Sequence, residues 1–132
     1  MYPSTIYRVV AKALITDTNG KVLVVKENND FWSLPGGGLE HGESATDCLK
    51  REIKEEIGIK EVSVGGILYS TNVYLDRIDT WMTWIVYKVA ISSSNFVVGY
   101  GVTDAQYIDI QDLQDTTDLL EKLIVETVQA IK

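Results

Sequence analysis

SLPGGGLEHGESATDCLKREIKEEIGI, residues 33–59, sets a proline and three glycines (Pro35, Gly36, Gly37, Gly38) ahead of five glutamates, Glu40, Glu43, Glu52, Glu55 and Glu56. The first half does not suit the inside of a regular element. Proline fixes its own φ and lacks a donor, and consecutive glycines leave the backbone unconstrained, so residues 35–38 are expected to form a loop. The second half reads as a helix over residues 44–57, with Ser44 as N-cap and Gly58 as the residue that stops it. On a wheel of about 100° per residue with Leu49 at zero, Ala45 and Ile53 lie at roughly −40° and +40° and mark the buried stripe. Glu56 then falls at about −20° and Glu52 at about −60°, inside that stripe, with Glu55 at its edge near −120° beside Cys48. Lys50 and Lys54 fall on the opposite side, where solvent is expected.

Two readings compete here. A helix rich in Glu and Lys is ordinarily a solvated face laced with i,i+4 pairs, and Lys50 and Lys54 fit that description. Carboxylates one turn apart on an inward stripe do not, because burying them is costly without a partner. Three converging like charges call for a cation, and hard oxygen ligands favour Mg²⁺ or Mn²⁺. Arg51 can orient one of these carboxylates but cannot neutralise all three.

Outside this stretch the pattern is of strands and one more helix. Residues 6–16 are rich in β-branched side chains and end in Asp17-Thr18-Asn19-Gly20, and KVLVVK (21–26) follows. Asn-Gly between apolar runs predicts a hairpin with positive φ at both turn residues. Residues 62–75 and 80–91 read as strands joined by a polar Asp76-Arg77-Ile78-Asp79 connection, residues 96–102 as a loop, and 106–110 as a short last strand. Leu120, Ile124, Val128 and Ile131 recur at helical spacing within residues 117–131. Strands and helices in this order imply a mixed sheet with helices packed on it.

The 132 residues suit one domain spanning 1–132, with 45% hydrophobic and 23% charged residues. A net charge of −7 disfavours polymeric nucleic acid as a partner, although a small anion carried by a divalent cation remains compatible. No apolar run is long enough for a membrane span, and the N-terminus lacks the layout of a signal peptide. Cys48 is the one cysteine, so no disulfide framework is expected and a reducing cytoplasm is the default location.

Gly37, Glu43 and Arg51-Glu52-Ile53-Lys54-Glu55-Glu56-Ile57-Gly58-Ile59 together resemble the Nudix box, G-x5-E-x7-R-E-U-x-E-E-x-G-U with U aliphatic, at every fixed position from Gly37 to Ile59. Trp32-Ser33-Leu34-Pro35-Gly36 is similar to the usual lead-in of that MutT-like hydrolase family. The resemblance implies an α/β/α sandwich with a mixed β-sheet, the box forming a loop–helix–loop. It also implies Mg²⁺- or Mn²⁺-dependent hydrolysis of a nucleoside diphosphate linked to another group. Glu52, Glu56 and the carbonyl of Gly36 (or Gly37) would ligate metal, Glu55 would be a further ligand or would support one, and Gly38 would help the backbone approach ions and phosphates. Arg51 would hold a glutamate, and Glu43 would brace the loop, bind metal through water, or simply answer the helix dipole. Glu52 is the first candidate for general base, and Asp104, in Asp104-Ala105-Gln106-Tyr107, is the second.

His41 reads as an exposed loop residue, and Phe31 and Trp32 as packing beneath the loop. Tyr69, Tyr74 and Tyr100 are aromatics that could face a cleft and stack on a nucleobase. The chain's small size favours a nucleoside triphosphate as the small-molecule substrate, acted on by a monomer or homodimer. A non-catalytic nucleotide sensor of the same fold is the alternative, disfavoured by an intact set of box glutamates.

Overall fold

The computed structural model describes residues 6–27 and 30–132. Residues 1–5, Asn28 and Asn29 lie outside it. Among the described residues, seven strands and two α-helices follow one another as β1 (Tyr7–Leu14), β2 (Val22–Lys26), β3 (Trp32–Ser33), β4 (Gly36–Gly38), α1 (Ala45–Ile57), β5 (Val62–Leu75), β6 (Thr80–Ile91), β7 (Asp104–Ile108) and α2 (Leu119–Ala130), with short 3-10 turns at Asp76–Ile78 and Ile110–Leu113. They form a four-stranded mixed sheet, β4-β1-β6-β5, and a three-stranded antiparallel sheet, β3-β2-β7. β1 and β6 are the parallel pair, with Ala11 opposite Ile85.

Alternation along the strands divides the interior in two. Val10, Leu14, Val22, Val24, Met82, Trp84 and Val86 pack with Leu123, Ile124 and Val128 of α2. Their neighbours Ala11, Ala13, Ile15, Leu23 and Val25 point the other way and pack with Leu49, Ile53 and Ile57 of α1. Strands between two helical layers make the α/β/α sandwich expected from the sequence. The Trp84 indole N–H donates to Thr127 Oγ1 at 3.1 Å, so the largest core side chain has its polar atom satisfied.

Two local expectations are corrected. First, Asn19 does not take positive φ; Gly20 alone does, at 78°. The Asp17 carboxylate accepts the N–H groups of Asn19 and Lys21, both at 2.9 Å, and so builds the turn. Two residues past β1, Thr16 makes an isolated antiparallel bridge with Val22, and β1 and β2 lie in different sheets. Both edges of β1 are already taken, by β4 and β6. Second, Gly36–Gly38 is not a loop but a short edge strand, antiparallel to Val10–Lys12. Pro35 does not obstruct it, because β1 uses the proline's carbonyl: Ala13 N donates to Pro35 O at 2.8 Å.

α1 begins at Ser44, whose hydroxyl accepts the Asp47 N–H, and stops at Gly58 in a left-handed conformation. α2 is capped by Asp118 in the same manner. Residues 97–102 cross the C-terminal end of α1, and Val97 N and Gly99 N donate to Ile57 O and Glu56 O at 3.0 and 3.2 Å. These bonds satisfy carbonyls that the helix end would leave unpaired. No helix among the described residues is long and apolar enough to cross a membrane.

Candidate active site

The site forms where α1 lies over β4. Gly37 passes directly under Glu52: a Cβ on Gly37 would stand 2.8 Å from the Glu52 carboxyl carbon. Gly36 has φ of 123°, and a Cβ there would meet Ala11 O at 2.2 Å. Position 36 therefore accepts only glycine, whereas at position 37 the obstacle is the end of the Glu52 side chain. The Gly36 N–H donates to Glu56 Oε1 at 2.8 Å. The carboxylates of Glu52 and Glu56, one helical turn apart, thus bracket two successive glycines of an edge strand.

Arg51 ties the remaining acids. It grips Glu43 with two bonds, Nε to Oε2 at 2.8 Å and Nη2 to Oε1 at 2.9 Å. Its Nη1 donates to Glu52 Oε1 at 2.8 Å and to Glu55 Oε2 at 3.5 Å, and its Nη2 to Gly38 O at 3.4 Å. The arginine hydrogen bond, followed by the Glu40 N–H, holds the Glu43 carboxyl down at about 2. Arg51 is correspondingly held protonated above its ordinary range, chiefly by Glu43. Glu43 therefore lies in a bidentate pair, the stronger class of charge-assisted bond.

Glu56 is in a different environment. It is 4% exposed, and burial pushes its carboxyl up to about 8, with Lys12 and the Gly36 N–H opposing and Glu52 and Glu27 reinforcing the shift. Lys12 went unnoticed in the sequence. It is a buried ammonium whose Nζ donates to Ser33 Oγ at 3.3 Å, Leu34 O at 3.1 Å and Gly36 O at 3.2 Å. It also stands 5.7 Å from the centre of the Trp84 ring. A lone lysine inside the apolar run VVAKALI was the available signal, since such a residue is buried only when its donors are satisfied. Glu27, the other unforeseen member, carries no motif.

Other residues are placed as follows. Lys50, Lys54 and His41 are exposed. Cys48 is buried, its thiol pushed up to about 11 by burial, with Sγ 3.5 Å from Gly37 O. Trp32 is partly buried, with Lys26 Nζ 4.4 Å from its ring centre, and its backbone N–H donates to Glu121 Oε2 at 2.8 Å. Phe31, expected to pack beneath the loop with it, is 45% exposed. Asp104 opens β7, and its oxygens accept the Ala105 N–H and the Gln106 side-chain amide, both at 2.8 Å. Neither of those bonds reaches a box glutamate.

The donor set can be tested against a divalent cation. Among the described residues no three acidic, histidine or cysteine side chains converge closely enough to hold a metal, since Arg51 turns Glu52 and Glu55 toward itself. The chemistry nevertheless fits. Every oxygen is hard, and the Glu52 carboxyl lies on a backbone that a Cβ would push away. Glu56 is buried and keeps its proton up to about pH 8, so a cation beside it would favour its charged form.

The family model described as NUDIX domain matches residues 6–126. The RNA pyrophosphohydrolase of Ruthia magnifica subsp. Calyptogena magnifica is 43% identical over 60 residues, 45% of this chain and 34% of that protein. The match therefore spans about a third of that relative's length. The MutT protein from Methanosarcina mazei Go1 superposes with a TM-score of 0.81 at 20% identity, over 98% of this chain and 96% of that one. A NUDIX hydrolase from Nitrosomonas europaea superposes at 0.77 and 20% identity, over 95% and 90%. At such identities the likeness is one of fold.

Proposed function

The chain belongs to the Nudix family, and we propose that it is a divalent-metal-dependent pyrophosphohydrolase acting, as one domain over residues 1–132, on a nucleoside triphosphate. The observation that carries this reading is the pair of carboxylates on Gly36 and Gly37, with Arg51 gathering the others. A substrate with two or three linked phosphates is densely anionic, and this chain is itself acidic at −7. Mg²⁺ or Mn²⁺ bound there would screen the phosphates and acidify a water.

Glu52, Glu55 and Glu56 would hold the cation together with a carbonyl of Gly36 or Gly37. Of the two carbonyls, Gly36 O already accepts from Lys12 and keeps its second lone pair. Arg51 would fix the direction of Glu52 and Glu55, Glu43 would keep Arg51 in place, and Gly38 would supply a further anchor through its carbonyl. Glu52, partly exposed and beside the glycine strand, is the residue to take the proton from the attacking water; Asp104 is second, because both its oxygens are already engaged.

A second reading follows from the name of the Ruthia relative: the 5′-triphosphate end of an RNA carries the same phosphoanhydride. One experiment separates these. Nucleoside triphosphates, a dinucleoside polyphosphate, a nucleotide sugar and a 5′-triphosphorylated oligoribonucleotide are incubated with protein and Mg²⁺, and products are resolved chromatographically. Fastest turnover of free triphosphates with release of pyrophosphate supports the proposal. Fastest turnover of the oligonucleotide assigns the second reading, and binding without turnover assigns a sensor.

A further inference from the structure

Of three tyrosines that could face a cleft, two have structural partners. The Tyr69 hydroxyl donates to Glu126 Oε2 on α2 at 2.5 Å. The Tyr74 hydroxyl donates to Asp79, and its ring lies 5.6 Å from that of Trp81. Tyr100 has no hydrogen-bond, ion-pair or ring partner among the described residues and is 81% exposed. Among the described residues it is also one of two non-glycine residues with positive φ, at 53°. For a tyrosine that conformation costs on the order of 1 kcal/mol, and full exposure returns nothing by burial. The next residue, Gly101, shows that a glycine is accepted at this turn with φ of 87°. The fold does not require an aromatic here.

The loop that carries Tyr100 is nonetheless tied down. Val97 N and Gly99 N are bonded to the carbonyls of Ile57 and Glu56, and Val102 is buried on the far side. Gly99 lies so close to the helix that a Cβ would stand 3.3 Å from Glu55 O. The backbone that carries Tyr100 is therefore fixed beside the turn that bears Glu55 and Glu56. Together with Arg51, Lys54 and Glu55 it lines a hollow of about 330 Å³. An aromatic face, two cations and a carboxylate in one hollow suit a ligand that is planar at one end and anionic at the other.

We propose that Tyr100 is the nucleobase-binding residue of this site, the base of the substrate stacking on its ring while the phosphates extend past Arg51 toward the box glutamates. This rests on the reading of the site as a nucleotide pyrophosphohydrolase. Removing one base–aromatic stack raises KM roughly 5- to 100-fold.

The test compares Tyr100→Ala, Tyr100→Phe and unaltered protein on a nucleoside triphosphate and on ribose 5-triphosphate, which has no base. The expected result is a KM rise of about tenfold or more for Tyr100→Ala on the nucleotide alone, with Tyr100→Phe staying near the unaltered value and thermal unfolding unchanged. An unchanged KM overturns the inference, and so does an equal rise on the base-less compound. If the unaltered protein hydrolyses neither compound, the hydrolase reading fails by itself. In that event the inference is decided by whether a nucleoside monophosphate shifts the Tyr100 ring protons upfield: a shift sustains it, and none overturns it.

Discussion

Replacing Glu56 by Gln should make the metal-free protein more stable while removing its activity. Glu56 prefers to keep its proton up to about pH 8 in the folded state, against 4.5 for the ordinary carboxyl. The sign follows directly. Below pH 4.5 both states hold the proton and nothing is lost. As pH rises toward 8 the unfolded chain releases it while the folded chain cannot, and stability falls by about 1.4 kcal/mol per pH unit. That amounts to roughly 3 kcal/mol at pH 7 and roughly 5 kcal/mol above pH 8. Gln keeps an oxygen for the Gly36 N–H without the buried charge. At about 4 °C per kcal/mol, the variant should melt roughly 10 °C higher at pH 7 in the presence of a chelator. At pH 5 the two should nearly coincide. The assay is thermal unfolding of both proteins from pH 5 to pH 9 with EDTA. A gap that stays constant with pH, or a variant less stable at pH 9, would refute the reasoning. Turnover with Mg²⁺ should fall by on the order of a hundredfold or more, because Gln cannot supply the charged ligand.

Other perturbations separate the parts of the site. Lys12→Met leaves three acceptors without their donor and should destabilise by about 2–4 kcal/mol, read from the midpoint of urea unfolding. Gly37→Ala places a Cβ against the Glu52 carboxyl, a flexible end that can move. It should therefore lower kcat roughly tenfold or more while melting within a few degrees of the parent. Glu43 should remain ionised well below the normal carboxyl range. Its pair with Arg51 is fully present above pH 4.5 and lost as pH falls through about 2, so side-chain carboxyl NMR should show no titration of Glu43 above pH 3.

The box helix was legible because its signals are local. Ser44 and Gly58 are read one residue at a time, and a helix wheel is enough to turn Glu56 inward. The layering was legible for the same reason, since alternation in β1 and β2 sends neighbouring residues to opposite helices. What escaped depends on contacts distant in sequence. The Asn-Gly turn promised a hairpin, but whether β1 pairs with β2 depends on β4 and β6 claiming its edges first. The glycine run looked like a loop because three missing side chains are indistinguishable from flexibility; only Glu52 overhead and Ala11 alongside show that the missing side chains are what allow a strand there. Lys12 lies over twenty residues from the carbonyls it binds, and the grip of Arg51 on Glu43 crosses from helix to loop. The sequence placed the acids on one face, while their division into an arginine-bound group and a buried, proton-retaining Glu56 appears only in three dimensions.

The most direct test of the metal site is an electron paramagnetic resonance titration of Mn²⁺ into the metal-free protein at pH 8. A carboxylate site on the glycine strand predicts that the six-line signal of free Mn²⁺ is suppressed until the site fills, and that Glu52→Gln combined with Glu56→Gln restores the free signal from the first addition. Equal suppression by that double variant, or none by the unaltered protein, would contradict it.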